Sequence, residues 1–176
     1  MRYVKIATKF WTDEKVRSLS EDARELYLYI LTSPHSNMAG YYRLPKAYVV
    51  EDLQKSFERV KKGLNELIKK GLVSYDETSS VVLICNFFKY NSIQNKNQAK
   101  GVRNKVDELP KNSLIAEYIK ACRKHAEKYF EQLTKGLPKP SQKGSGNTET
   151  ETETETETEY SNNKRSDSGE SNPPEE

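Results

Sequence analysis

Much of what would mark an enzyme or a membrane protein is missing from this 176-residue sequence. Cysteine occurs twice, as Cys85 and Cys122, too seldom for a disulfide scaffold. Both sit in apolar patterns and read as reduced core thiols of a cytoplasmic protein. No apolar run approaches the ~20 residues that span a bilayer. The opening MRYVKIATKFW lacks an apolar stretch of signal-peptide length and a small-residue cleavage site. There is no glycine-rich phosphate loop. Cys122 and His125 lie three apart on one helix face, but Cys85 and His35 are the remaining soft ligands and neither is paired. A structural zinc site takes four ligands with local pairs. Asp13, Glu14, Glu21, Asp22 and Glu25 collect at helix starts, where capping explains them. No enzyme, metal or cofactor is therefore expected.

The C-terminal region has a further lack. From Pro138 to Glu176 there is no Leu, Ile, Val, Phe, Met or Trp. Such a segment cannot bury apolar surface. Thr148 to Glu159 is pure Thr-Glu alternation, six like charges with nothing apolar to oppose them, and reads as disordered. The foldable part is roughly Met1 to Leu137.

Charge follows the same division. Residues 1–146 hold 27 basic and 16 acidic side chains, a balance of +11, and residues 147–176 hold 2 and 10, a balance of −8. Within the body, residues 1–85 hold 14 basic and 11 acidic groups and residues 86–146 hold 13 and 5. A basic body with an acidic tail favours a polyanionic partner, most often nucleic acid.

The first residues suggest a short strand or an arm laid on the core. Thr12 is a candidate cap for a short helix reaching about Leu19, and Ser20 caps a second with Ala23, Leu26, Tyr27, Ile30 and Leu31 at helical spacing. It should end near Ser33, before Pro34. Gly40–Pro45 is a short extended piece. Lys46–Leu53 is a short helix with Tyr48 or Val49 and Leu53 inward. Phe57, Val60, Leu64, Leu67 and Ile68 make one face of an amphipathic helix ended by Gly71. Leu72–Tyr75 and Val81–Cys85 form a β-hairpin over the loop Asp76–Ser80.

This order is that of a winged helix-turn-helix over residues 1–90. A basic Asn/Gln/Lys-rich connection over 91–112 follows, then an amphipathic helix over 113–135 and a disordered Thr-Glu tail over 136–176. The fold class is mainly α with a small β-hairpin (α+β). The stripe of Leu114, Ile115, Tyr118, Ile119, Cys122, Tyr129, Phe130 and Leu133 suits a long helix, Ser113–Thr134. That helix either packs back on the body or, the favoured reading, pairs with a second copy to give a homo-oligomer.

The helix at about Lys55–Lys70 is the candidate recognition helix for double-stranded DNA. Lys55, Ser56, Arg59, Lys62, Asn65 and Lys69 offer contacts to phosphates and base edges, with Lys46 on the preceding helix. Glu58 and Glu66 oppose this, and a lysine-rich solvated face is the plain alternative. The hairpin loop carries two acids and no cation, which suits a simple closing hairpin equally well. Lys89, Lys96, Lys100, Arg103 and Lys105, interleaved with amides and no acid, suit backbone contacts or a flexible polar linker equally.

A resemblance adds to these readings. The features are the aromatic-Lys-Ile opening with Phe10-Trp11, Asp13-Glu14-Lys15-Val16, Tyr27-Leu28-Tyr29, Gly40-Tyr41-Tyr42 with Leu44-Pro45, Gly71-Leu72-Val73, and Asn86-Phe87-Phe88-Lys89-Tyr90-Asn91. Over about residues 1–135 they resemble the N-terminal domain of phage and prophage replisome organisers of low-GC Gram-positive bacteria, relatives of DnaD-type replication initiators. The resemblance implies a winged helix that binds a phage replication origin, oligomerises and recruits a helicase loader or helicase. The turn Leu53-Gln54-Lys55-Ser56 departs from the pattern in lacking a glycine. A winged-helix transcriptional regulator and a winged-helix protein-interaction module without DNA binding are the alternatives. No membrane partner is expected.

Overall fold

Short helices with well-made caps build the first third of the chain. The computed structural model describes residues 4–138, so the tail lies outside the described residues from position 139 onward. A 3-10 turn, Thr8–Trp11, replaces the expected strand or arm and buries Phe10. Asp13, rather than Thr12, caps helix α1 (Glu14–Arg17), accepting from the Lys15 and Val16 N–H groups. A carboxylate there satisfies two orphan donors, whereas the Thr12 hydroxyl donates back to Lys9 O. Ser20 caps α2 (Glu21–Thr32), which ends at an extended Ser33 before Pro34.

Strand β1 (Tyr41–Arg43) leads through Pro45 into α3 (Lys46–Leu53), where Val49 is the buried residue and Tyr48 points outward. Gln54 then takes the left-handed conformation (φ 50°, ψ 40°) in which a glycine is commoner, and Ser56 caps α4 (Phe57–Lys69). Val60, Leu64 and Leu67 of α4 are buried against α2. Phe57 and Ile68, expected on the same face, are 49% and 39% exposed. Gly71 (φ +64°) closes α4, with Leu72 N donating to Leu67 O and Gly71 N to Ile68 O.

The hairpin forms as expected from β2 (Val73–Asp76) and β3 (Val81–Ile84). Strand β1 adds to the other edge of β3, with Tyr41 opposite Leu83 and Arg43 opposite Val81, giving a three-stranded antiparallel sheet of order β1-β3-β2. All four β3 residues are buried, as befits a central strand. Gly40 (φ +60°) makes the entry to β1 possible: a Cβ there would stand 2.2 Å from Phe87 Cγ.

The stretch read as a polar connection is helical. After α5 (Phe87–Tyr90), Asn95 caps α6 (Lys96–Asp107), which buries Ala99, Val102 and Val106 in the core. Three small apolar residues on a narrow stripe suffice to seat a helix whose other faces are polar.

The long helix expected over Ser113–Thr134 is interrupted. Helix α7 (Ile115–His125) stops where Ala126 leaves helical geometry (φ −138°, ψ 36°), and a 3-10 turn, Glu127–Tyr129, leads into α8 (Phe130–Thr134). The break turns α8 onto α6, where Gln132 Nε2 donates to Lys96 O and Arg103 Nη1 to Leu133 O. Tyr118, Cys122, Tyr129 and Leu133 are thereby buried within the chain, and Tyr118 stacks on Tyr41 at 5.2 Å. The stripe expected to pair with a second copy is thus covered by the chain itself. Among the described residues, eight α-helices and a small antiparallel sheet make an α+β fold, and no helix is long and apolar enough to cross a membrane.

Candidate nucleic-acid interface

The basic residues divide into those held by acids of the same chain and those left to solvent. Lys55 Nζ lies 2.7 Å from Asp22 Oδ1 and 2.6 Å from Glu25 Oε2. Arg59 donates to both oxygens of Asp22, through Nε at 2.9 Å and Nη2 at 2.6 Å. The first turn of α2 therefore lies against the α3–α4 turn. The bonds from Arg59, then Lys55, hold the Asp22 carboxyl well below its usual range, and the same bonds raise both cations. Both side chains thus brace α2 against α4 and the turn before it, with the Arg59 side chain still 58% exposed. Ser56 is likewise occupied, its Oγ accepting from Arg59 N.

Farther along α4 the pattern reverses. Lys61, Lys62, Asn65 and Lys69 are exposed and line a shallow groove with Glu58 and Glu66. No ion pair engages Lys61, Lys62 or Lys69 among the described residues. Glu66, an apparent obstacle to a phosphate, turns toward α2. It accepts from Ser20 N at 2.8 Å and Ser20 Oγ at 2.6 Å, and these bonds lower its carboxyl pKa. The exposed face thus presents three unpaired ammonium groups and one amide, with Glu58 as its remaining unengaged acid.

The hairpin loop is tied down. Lys46 pairs with Glu77 and sits 5.1 Å from the centre of the Tyr75 ring. Asp76 accepts from Ser79 N and Oγ within the loop and from Ser113 N and Oγ at the approach to α7, which holds its carboxyl well below the usual range. Leu44 N donates to Ser80 O at 2.7 Å. Residues 77–80 carry no cation. The nearest exposed one by register is Arg43, on β1 opposite Val81, which the sequence reading passed over.

The Lys89–Lys105 stretch is not one uniform surface. Arg103 is mostly buried, forked onto Asp107 and bonded to Leu133 O, and Lys105 pairs with Glu108 at 2.8 Å. Lys96 and Lys100 are exposed without a carboxylate partner among the described residues. Lys89 lies over the Tyr90 ring at 5.3 Å. Lys61 also escaped the sequence reading, although its place beside Lys62 on the outer side of α4 is visible from helical spacing. No protein-family model, curated protein or solved structure matches the chain.

Proposed function

We propose that this chain is a non-enzymatic protein that binds duplex DNA through a winged helix-turn-helix, in the manner of a phage replisome organiser. In this reading α3 and α4 are the helix-turn-helix, β2–β3 the wing and α4 the recognition helix. One observation carries it: the outward face of α4 keeps Lys61, Lys62, Asn65 and Lys69 unpaired while Glu66 is drawn to the start of α2. In this reading the ammonium groups neutralise phosphates and the exposed Asn65 amide reads a base edge. The sequence resemblance over residues 1–135 supplies the replication role, with origin DNA as target and a helicase loader or helicase as protein partner. The tied-down, cation-free hairpin favours the helix as the main contact.

The exposed Phe57 and Ile68 on α4 favour a second reading, in which the same helix docks a protein. Salt separates the two. Duplex affinity of the full chain should fall steeply with rising salt, with a log–log slope of about −0.9 for each phosphate neutralised. Absence of duplex binding at low salt, or a flat salt response, would favour protein docking.

A further inference from the structure

A second basic feature lies away from α4. Between the N-terminal turn, α2, α5 and α7 runs a cleft of about 320 Å³. Lys5, Lys9, Lys15, Lys89 and Lys124 line it, and Asp13 is its one acid. Asp13 is already committed to the cap of α1, and Lys15 is steadied by Lys70 O at 3.1 Å. None of the five lysines has a carboxylate partner among the described residues. The floor is apolar and aromatic, formed by Phe10, Leu31 and Phe87, with Tyr90 at the rim 48% exposed.

The wall adds a tyrosine. Tyr27 is 8% exposed and lines the cleft. Burial raises its pKa far above the ordinary tyrosine value, so the hydroxyl keeps its proton and can donate.

An aromatic floor and a ring of ammonium groups match a flat heterocycle that carries a phosphate. The volume stands at the low end of small-ligand clefts, about 300–1,000 Å³, which suits one nucleotide unit and not a duplex. We infer that this cleft is a binding site for a single unpaired nucleotide, its base against Phe10, Phe87 and Tyr90 and its phosphate among the lysines. Such a unit could be part of a single strand or a free nucleotide. The inference does not depend on α4 or on duplex binding.

Trp11, the sole tryptophan, stands edge-on to Phe10 at 5.0 Å and so reports on the floor of the cleft. The experiment titrates the full chain with a short single-stranded oligothymidylate and separately with free dTMP, reading Trp11 fluorescence. Lys89→Ala/Lys124→Ala, Tyr90→Ala and the α4 variant Lys61→Ala/Lys62→Ala/Lys69→Ala are measured alongside, with circular dichroism to verify folding. Saturable binding is expected, weakened roughly 5- to 150-fold by Tyr90→Ala, the range of one lost base–aromatic stack. Lys89→Ala/Lys124→Ala should weaken it too, and the α4 variant should leave it unchanged. Preference for the oligomer identifies a strand site, and comparable binding of dTMP identifies a free-nucleotide site. No saturable response to either ligand, or equal affinity in the cleft variants and the parent, overturns the inference. Loss of duplex binding alone would touch only the α4 reading.

Discussion

Replacing Gly40 with alanine tests the packing that holds the sheet to α5. Gly40 combines a left-handed backbone (φ +60°) with a Cβ position 2.2 Å from Phe87 Cγ. Holding a non-glycine residue in that conformation costs about 1 kcal/mol. Forcing Phe87 aside adds the penalty of an overpacked core, about 1–3 kcal/mol. The sum is roughly 2–4 kcal/mol, a large part of the ~5–15 kcal/mol that stabilises a typical domain. Gly71 supplies the control, because it has φ +64° but nothing within 4 Å of a Cβ. Gly71→Ala should cost about 1 kcal/mol, the backbone share alone. Urea unfolding of the full chain followed by circular dichroism measures both. The Gly40→Ala/Phe87→Ala double variant should then cost less than the two single changes added together, since the clash is gone. Equal losses at Gly40 and Gly71, or strict additivity with Phe87→Ala, would refute the close contact.

Other outcomes follow from the carboxylates. Asp22, Glu66 and Asp76 each have a folded-state pKa below the ordinary value, Asp22 through Arg59 and Lys55, Glu66 through Ser20, Asp76 through Ser113 and Ser79. Their contribution is therefore present above the ordinary carboxylate range near pH ~4 and is lost as pH falls through the folded values. Thermal unfolding should show lower stability at about pH 3 than at about pH 7, and Asp22→Asn should reduce that difference. Asp22→Asn should also release Arg59 from its brace, while Lys55 keeps its pair with Glu25. Duplex affinity and salt slope should both rise in filter-binding or anisotropy assays even as stability at neutral pH falls; a drop in affinity would mean that the brace positions α4 for binding.

Local signals made the early elements readable. Ser20 caps α2 as expected, Gly71 closes α4 and the β-rich runs pair as a hairpin, whereas the Ser56 cap of α4 was not foreseen. The pairing of β1 with β3 was not readable, because strand pairing depends on partners 38 to 42 residues away that no local pattern specifies. Helix α6 hid behind polar residues, as its buried stripe is only Ala99, Val102 and Val106. The break at Ala126 falls inside an apolar spacing that suits a continuous helix equally well.

The candidate site shows the same limit more sharply. Residue types on α4 were legible, but their engagement was not. Lys55 and Arg59 meet Asp22 across 33 and 37 residues, and Glu66 meets Ser20 across 46. These long-range bonds reverse the roles: two expected contacts are braced, and one expected obstacle is removed. The aromatic and basic residues of the cleft come from segments as distant as Lys5 and Lys124 and formed no pattern in the chain.

The proposed function stands on the outward face of α4 meeting duplex DNA. The most direct measurement compares the salt dependence of duplex binding by the full chain and by Lys61→Ala/Lys62→Ala/Lys69→Ala. All three lysines are exposed and unpaired, so the variant should unfold at the parent's temperature. Its log–log slope should be shallower by about 0.9 for each lysine that meets a phosphate, up to about 2.7 in all. A variant that folds normally and binds duplex with the parent's affinity and slope would contradict the assignment of α4 as the DNA-binding helix.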